Sequence, residues 1–216
     1  MTKSYAVLGL GRFGNKVAQS LIEGDADVLV ADRDPEMVNY FRHTAANAVI
    51  AELSDEAQLR SMGLGSVDTV IIAMGENLEA SIMAAMVAKE VGVNKVIAKA
   101  SSKRMAEILL KIGADEIIFP EEDAAFRTAK SLLSDTFLDY YDLGDHLSLV
   151  EMYPKPAWIG QTLKELNLRK REGLNVVAIR EKGGSFVHIN GDTVLTETSE
   201  MLIVAEKKKL RKLDSK

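Results

Sequence analysis

The amino-acid sequence predicts an α/β protein in which a doubly wound parallel sheet is followed by a small α+β module. Two patterns indicate this fold class. Short apolar runs alternate with segments of helical period up to about residue 141, and beyond that point the period changes to short strands separated by turns. With 216 residues, 47% of them hydrophobic, the chain can bury a core in one or two domains. We expect one domain over residues 1–143 and another over 144–216.

The first predicted domain consists of strands and helices in strict alternation. Its strands lack polar alternation, which is typical of a parallel sheet with helices on both faces. Some of its helices begin at recognisable capping residues, since Asp34 precedes Pro35 and Ser54 is followed by acids. Together these features predict a Rossmann-type domain. The strands are expected at 5–8, 28–31, 48–51, 67–73, 96–98 and 117–119, and the helices near 12–23, 35–42, 54–62, 77–91, 102–112 and 123–141.

The second predicted domain is a module of short strands. Pro154, Pro156 and the Gly183-Gly184 pair separate its elements. A module of roughly 70 residues is small for an independent core, so we predict that the protein dimerises. Strands are expected at 147–153, 174–180, 185–189 and 201–205, with a short helix at 162–166.

Composition excludes several classes of function. The chain has no cysteine, which excludes disulfides, thiolate nucleophiles and zinc–thiolate sites. Its apolar runs are shorter than the roughly 20 residues of a membrane span, and the start lacks a signal-peptide pattern, so we expect a cytoplasmic protein. The net charge is −5, and the basic surplus of the second domain sits in the tail KKKLRKLDSK, typical of a solvated helix end. Nucleic acid is therefore not an expected partner.

A glycine-rich turn predicts a site for an adenine nucleotide. Gly9, Gly11 and Gly14 form a G-x-G-x-x-G pattern that follows an apolar strand and opens a helix. Glycines allow the backbone to approach phosphate, and the helix N-terminus offers N–H groups and a partial positive charge. Asp32 ends the second strand, where a carboxylate can hold ribose hydroxyls. The competing interpretation is that the glycines serve only a tight turn and helix packing.

Arg12 is unusual in the first turn of a helix. A cation there opposes the helix dipole by some tenths of a kcal/mol unless an anion is nearby. It is either an ordinary solvated arginine or a ligand for phosphate, within the chain or across a dimer. Two further residues leave similar alternatives. Gly75 either permits close approach to the nucleotide or simply ends a strand, and Lys99 either contacts a phosphate or faces water.

The sequence lacks the residues of a catalytic site. His43, His146 and His188 lie outside the predicted crevice loops, and motifs of hydrolases and kinases are absent, so we predict no catalytic residues and no enzyme activity. An acidic triplet, Glu121 to Asp123, lies at the start of the sixth predicted helix. It suits the helix dipole, and it could also bind a hard cation if a two-fold axis brought a second copy close.

Across nearly its full length the sequence resembles the RCK-type regulatory subunits of the bacterial Ktr and Trk potassium-uptake systems, with a TrkA-N and a TrkA-C type domain. The segments that carry the resemblance are YAVLGLGRFG, VLVADRDPEMV, VDTVIIAMGEN, KVIAKA, KIGADEIIFPEEDA and IGQTLKELNLRKREGLNVVAI. The Arg-Phe pair, the run around Pro120 and the C-terminal module distinguish this family from ordinary dehydrogenases. The resemblance implies dimers that assemble as an octameric ring at the cytoplasmic face of a separate membrane protein.

The resemblance also implies roles for individual residues. Asp32 would hold the ribose, Glu52 and the strand-four loop would border adenine, and Arg12 of a neighbouring subunit would reach the terminal phosphate of ATP. Glu121 matches an interface acid associated with an activating divalent cation or sodium. The C-terminal module binds a cyclic dinucleotide in some members, and Arg169 lies in the matching region. The predicted nucleotide contacts are Gly9, Gly11, Arg12, Phe13, Gly14, Asp32, Arg33, Glu52, Ala73, Met74, Gly75, Asn77 and Lys99.

These observations together predict a regulator that senses ATP and ADP and gates potassium uptake. The alternatives are an NAD(H)-dependent oxidoreductase and an NAD-responsive regulator. Base preference is open because Ala51-Glu52-Leu53-Ser54-Asp55 stands where many relatives have a Gly-Asp-Ala-Thr type loop. Arg33, beside Asp32, leaves a 2′-phosphate open as well.

Overall fold

The computed structural model describes residues 3–134 and 136–214, and the chain forms two compact units, Met1–Pro120 and Glu121–Lys216. This division precedes the boundary suggested by the sequence, which lay after residue 143. The difference arises because Phe137–Asp142 is a strand of the second unit's sheet.

The first unit contains a six-stranded sheet in the order β3-β2-β1-β4-β5-β6, with every neighbouring pair parallel. Its order reverses between β1 and β4, the point at which doubly wound folds bind ligands beyond the carboxyl ends of the strands. The predicted fold class and all six predicted strands are confirmed. The strands are β1 Ser4–Leu8, β2 Asp27–Asp32, β3 Asn47–Ile50, β4 Thr69–Ile72, β5 Lys95–Lys99 and β6 Glu116–Ile118.

Five helices connect these strands where the sequence predicted them. Asp34 caps its helix by accepting a hydrogen bond from the Glu36 backbone N–H, as the Asp-Pro pair predicts. The cap of the third helix is Asp55, one residue beyond the predicted Ser54, because the Asp55 carboxylate accepts from the N–H groups of Ala57 and Gln58. The helices are α1 Arg12–Glu23, α2 Pro35–Tyr40, α3 Glu56–Ser61, α4 Leu78–Glu90 and α5 Lys103–Ile112.

The sheet of the first unit has a separate apolar core on each face. Alternate residues of a strand point to opposite faces, so Val7 packs with α1 and α2 residues while Ala6 and Leu8 pack with α3, α4 and α5 residues. Ala6, Val7 and Leu8 are all fully buried. This double burial explains the absence of polar alternation in the strands.

The second unit contains a four-stranded antiparallel sheet in the order β7-β8-β10-β9. Its strands are β7 Phe137–Asp142, β8 Leu147–Met152, β9 Leu174–Glu181 and β10 Ser199–Glu206. Helix α6, Pro120–Leu132, precedes the sheet, and the remaining helices are α7 Leu163–Leu166, α8 Leu168–Arg171 and α9 Lys207–Asp214. The predicted helix at 162–166 is confirmed, with Thr162 as its cap.

Two predictions of secondary structure in the second half of the chain were wrong. The helix predicted at 123–141 ends at Leu132, because residues 137–142 pair with β8 and bury the hydrogen bond between the Tyr140 and Ser148 hydroxyls. The strand predicted at 185–189 contributes only an isolated bridge between Val187 and Ile179. Farther along this segment the backbone turns away to hydrogen-bond Gly160 and Gln161 through Leu195.

A partly exposed arginine of the second sheet forms two ion pairs. Arg180 of β9 donates to Glu200 of β10 at 2.5 Å and to Glu151 of β8, and its guanidinium lies over the Phe186 ring. Burial raises the pKa of Glu151, although the neighbouring Arg180 acts in the opposite direction. The ion pairs tie three strands together.

None of the helices within residues 3–134 and 136–214 is long and apolar enough to cross a membrane.

Candidate nucleotide-binding site

The glycine loop lies between β1 and α1 at the switch point of the first sheet. Gly9 has φ +92°, a conformation that side chains rarely adopt, and a Cβ there would lie 2.6 Å from Met74 Cγ. A Cβ on Gly14 would lie 1.9 Å from the Gly9 carbonyl oxygen and 2.9 Å from Ala73 Cβ. These two glycines are therefore required for the turn and for the close packing of α1.

Gly11 differs from the other two glycines of the motif. Its backbone is ordinary, with φ −59°, and a Cβ there would have no atom within 4 Å. Neither a turn nor packing requires glycine at this position. The open space above Gly11 lies directly before a helix N-terminus, where a phosphate group can approach the backbone. The geometry fits a nucleotide phosphate at this point.

The N-terminus of α1 has no cap of its own. Gly11 provides no side-chain cap, and the first helical hydrogen bond runs from the Asn15 N–H to the Gly11 carbonyl at 2.9 Å. Within the described residues, the N–H groups of Arg12, Phe13 and Gly14 consequently have no acceptor. Unpaired N–H groups with a partial positive charge favour an anion at this position.

Arg12 adds a cation to the same turn. Its side chain is exposed, the first turn of α1 contains no acid, and Arg12 forms no hydrogen bond or ion pair within residues 3–134 and 136–214. Nothing in the described part of the chain offsets its repulsion from the helix dipole. An external anion would do so.

Asp32 links the end of β2 to the glycine loop. Its Oδ2 accepts from the Leu10 N–H at 2.5 Å, and its Oδ1 accepts from the Asp34 N–H at 2.9 Å. Each carboxylate oxygen can accept a further bond, so these contacts orient Asp32 and leave acceptor capacity for hydroxyl groups. The predicted position of Asp32 beside the glycine loop is thereby confirmed.

A cavity of about 150 Å³ extends from Asp32 across the ends of β3 and β4. Drug-sized ligands occupy roughly 300 to 1,000 Å³, so this cavity suits one portion of a nucleotide, with the phosphates outside it along the glycine loop. Its polar side comes from Asp32, Arg33 and Glu52 and its apolar side from Leu53 and Met74. The full lining is Asp32, Arg33, Glu52, Leu53, Met74, Asn77 and Ala80.

Glu52 is positioned by a hydrogen-bond chain from α3. The Gln58 side chain accepts from the Glu52 N–H at 2.9 Å and donates to Asp55 Oδ2 at 3.0 Å. Ser54 donates to the Glu52 carboxylate at 3.1 Å. Hydrogen bonds from the Gln58 backbone and side chain lower the pKa of Asp55. The loop that departs from the usual family pattern is thus held by its own contacts.

The loop after β4 is fixed by Ser81 and Asn77. The buried Ser81 hydroxyl donates to the carbonyl oxygens of Met74 and Asn77, at 3.0 and 2.8 Å. Asn77 caps α4 by accepting from the Ala80 N–H at 3.0 Å. The predicted site residue Asn77 therefore also has a structural role.

Lys99 reaches this region from the end of β5. Its Nζ lies 6.0 Å from the centre of the Phe13 ring, and its aliphatic chain crosses Gly75, where a Cβ would lie 2.9 Å from Lys99 Cε. Gly75 thus allows Lys99 to lie across the loop toward the start of α1. Gly75 is therefore required for the packing of Lys99, and contact of either residue with a nucleotide stays a prediction.

Glu121 does not belong to the unit that contains the crevice. It lies in the exposed first turn of α6 with Glu122 and Asp123. Within the described residues no group of three His, Cys, Asp or Glu side chains could hold a metal ion. A cation at Glu121 would therefore require ligands from another molecule, such as a second copy related by a two-fold axis.

Arg169 lines a larger cleft within the second unit, of about 620 Å³. The cleft joins apolar residues of α7, α8 and β9 to the polar groups Asn167, Arg169 and Asn175. Its size fits a whole ligand. Only Arg169 of this cleft is predictable from the sequence, because the lining comes from separate segments of the chain.

Three residues of the first unit's site were not predicted from the sequence. Leu53 and Ala80 line the cavity and are nearly fully buried, and Gln58 supports Glu52. Apolar positions of this kind look like ordinary core in a sequence. Only their location could have indicated a role in the site, since Leu53 follows β3 and Ala80 lies in the first turn of α4.

The strand order, glycine loop and Asp32 define a Rossmann-type nucleotide-binding domain, joined here to an antiparallel module. Residues 5–120 match the TrkA-N domain and residues 147–216 match the TrkA-C domain. The chain belongs to the TrkA-N/TrkA-C family that includes the Ktr system potassium uptake proteins. The resemblance stated from the sequence is therefore confirmed.

Two relatives in Bacillus subtilis (strain 168) are Ktr system potassium uptake proteins. The chain is 41% identical to protein C over 83% of this chain and 81% of that protein. It is 32% identical to protein A over 99% of this chain and 96% of that protein. The solved GsuK channel bound to NAD shares the fold, with a TM-score of 0.69 and 18% identity over 97% of this chain. This chain spans only 38% of that channel chain.

Proposed function

We propose that this protein is the nucleotide-sensing regulatory subunit of a potassium-uptake system. ATP and ADP would bind in the same crevice and favour different shapes of a ring, which would open or close a separate potassium-translocating membrane protein. A ligand shifts such an equilibrium only through its different affinities for the two shapes. The protein would act in the cytoplasm, peripheral to the inner face of the membrane, without catalysing a reaction.

The observation that carries the proposal is the uncapped N-terminus of α1, which favours a bound anion. Open space at Gly11, N–H groups without acceptors in the described residues and the exposed Arg12 all favour bound phosphate. In the same unit, Asp32 leads into a cavity suited to the nucleoside portion. Family membership supports the potassium-uptake context, since the Bacillus subtilis relatives are potassium uptake proteins.

Arg12 would distinguish ATP from ADP across a subunit boundary. In this proposal it reaches the terminal phosphate of a nucleotide held by a neighbouring copy within a dimer of an octameric ring. Guanidinium groups suit phosphate geometry because they can donate two parallel hydrogen bonds. Only ATP carries the phosphate in question, so the contact would supply the difference in affinity that gating requires.

Titration of Arg12→Ala with ATP and ADP tests this role. A charge-assisted contact contributes about 1.5 to 3 kcal/mol, so ATP affinity should fall roughly tenfold to hundredfold while ADP affinity changes little. Lys16→Ala is the matched control, because Lys16 is also exposed on α1, one turn farther along. Equal losses for ATP and ADP in Arg12→Ala, or equal effects of both substitutions, would contradict the proposal.

The alternative nucleotide is NAD or NADH. A related fold is known in the GsuK channel bound to NAD, and Arg33 lines the cavity beside Asp32. An NAD-responsive regulator would use the same glycine loop. Calorimetric titration with ATP, ADP, NAD and NADH decides which nucleotide binds most tightly.

The second unit would bind a cyclic dinucleotide in its cleft. The cleft of about 620 Å³ has an apolar floor and presents Arg169 with two asparagines, a combination suited to bases and phosphate. Titration of Arg169→Ala with cyclic di-AMP tests this assignment, since it should weaken binding while leaving ATP affinity unchanged. Undiminished cyclic di-AMP binding by Arg169→Ala would remove Arg169 from the site.

Glu121 would bind a divalent cation or sodium together with its copy across the dimer interface. Two carboxylates brought close together repel unless a cation or protons intervene, and calcium and magnesium both prefer oxygen ligands. This role adds to the helix-dipole role, which Glu122 and Asp123 share equally.

A further inference from the structure

The second unit concentrates positive charge in a chain that is acidic as a whole. Residues 168–172 and 206–214 contain eight Lys and Arg but three Asp and Glu, whereas the entire chain has a net charge of −5. The remainder of the chain is therefore strongly negative. A local surplus of positive charge of this kind attracts anions.

Two separate segments contribute this positive charge, and they lie side by side. A Cβ on Gly173, just beyond α8, would lie 3.5 Å from Lys209 Cε of α9. Arg171 and Lys209 also line one hollow of about 250 Å³, together with Glu172 and Leu213. The chain thus returns after β9 and β10 to place the start of α9 beside the end of α8.

The orientation of α9 directs its first lysines outward. Leu210 and Leu213 are buried in the core of the second unit, which fixes the apolar side of the helix. Lys208 and Lys209 are exposed, as are Lys170 and Arg171. None of the four forms an ion pair within the described residues, whereas Lys207 pairs with Asp142 at 2.7 Å. Lys170, Arg171, Lys208 and Lys209 are referred to below as the basic surface.

We infer that the basic surface docks the second unit onto anionic lipid headgroups of a membrane. Each Lys or Arg near such a surface strengthens binding about fivefold, and clusters of four or more are typical of segments that bind anionic lipid. The segments that carry the basic surface, LRKR and KKKLRKLD, contain no aromatic residue for stacking on bases.

Co-sedimentation of the full chain with lipid vesicles tests this inference. Vesicles of phosphatidylcholine with phosphatidylglycerol should retain the protein, pure phosphatidylcholine vesicles should not, and added salt should weaken retention. Lys170→Gln combined with Lys208→Gln should reduce the partition constant roughly thirtyfold. Lys111→Gln combined with Lys182→Gln is the control, because both lysines are exposed and the change in net charge is identical.

Thermal unfolding of both double variants checks that their folds are intact. The inference is overturned if phosphatidylglycerol vesicles retain the protein no better than phosphatidylcholine vesicles, or if the two double variants lose equal retention. Binding of a DNA duplex as tightly as the vesicles, with the same sensitivity to Lys170→Gln and Lys208→Gln, would instead assign the surface to nucleic acid. These outcomes are independent of nucleotide binding and of potassium uptake.

Discussion

Replacing Gly11 with alanine tests whether phosphate occupies the open space at the start of α1. Alanine can adopt the Gly11 backbone conformation, φ −59° and ψ −176°, and its Cβ would meet no atom within 4 Å. The folded protein should therefore lose at most about 1 kcal/mol, the difference between glycine and alanine at a helix cap. A bound phosphate would collide with the new methyl group or be displaced from the N–H groups.

The expected loss of nucleotide affinity follows from those N–H groups. Hydrogen bonds from backbone N–H to a charged phosphate contribute about 1.5 to 3 kcal/mol, so displacement should weaken ATP and ADP roughly tenfold to hundredfold. Both nucleotides should be affected alike, because each carries the phosphates nearest the glycine loop. Calorimetric titration and thermal unfolding measure the two effects on the same samples.

Gly14→Ala is the comparison for stability, since it should disturb the packing of α1 that Gly11→Ala leaves intact. Its Cβ would lie 1.9 Å from the Gly9 carbonyl oxygen, a backbone atom, so α1 must shift and the first unit should lose about 3 kcal/mol of stability. If Gly11→Ala destabilises the fold as much as Gly14→Ala, or binds ATP like the unaltered protein, the space above Gly11 is not a phosphate site.

Further predictions concern four other properties. Asp32→Ala should weaken ATP and ADP by about 1.5 to 3 kcal/mol through loss of charge-assisted bonds, and unchanged calorimetric affinities would remove the crevice assignment. Spectrophotometric assays with nicotinamide cofactors should detect no hydride transfer, because none of the three histidines lies in the crevice loops; steady turnover of an alcohol or carbonyl compound would refute the regulator proposal. Glu121→Gln, unlike Glu122→Gln, should abolish the cation dependence of flux through the reconstituted system, and a retained cation response would place the cation elsewhere. Arg127 lowers the pKa of Asp139, so their pairing stabilises the fold above the unfolded carboxyl pKa of about 3.9 and this contribution is lost as pH falls through the lower folded value. Thermal unfolding should accordingly show the advantage over Arg127→Gln shrinking in strong acid, and an advantage independent of pH would contradict this reasoning.

Local sequence patterns were sufficient for the fold of the first unit and for the placement of Asp32 beside the glycine loop. Apolar runs without alternation indicated buried parallel strands, and the glycines after β1 with Asp32 after β2 predicted the crevice at the switch point. These signals work because backbone conformation, period and helix capping depend on neighbours a few residues apart. The family resemblance came from the same short segments.

The tertiary structure decided what local patterns leave open. The segment 136–141 is rich in aromatic residues, which suit a strand, but it also continues the helical period of the preceding residues. Pairing with β8 makes it a strand. Strand order, the Gln58 support under Glu52 and the apolar wall from Leu53 depend equally on partners brought together by folding. The contact between α8 and α9 joins segments that lie far apart in the sequence. Each helix follows from its own local pattern, but only the packing of the second unit brings their charged residues together.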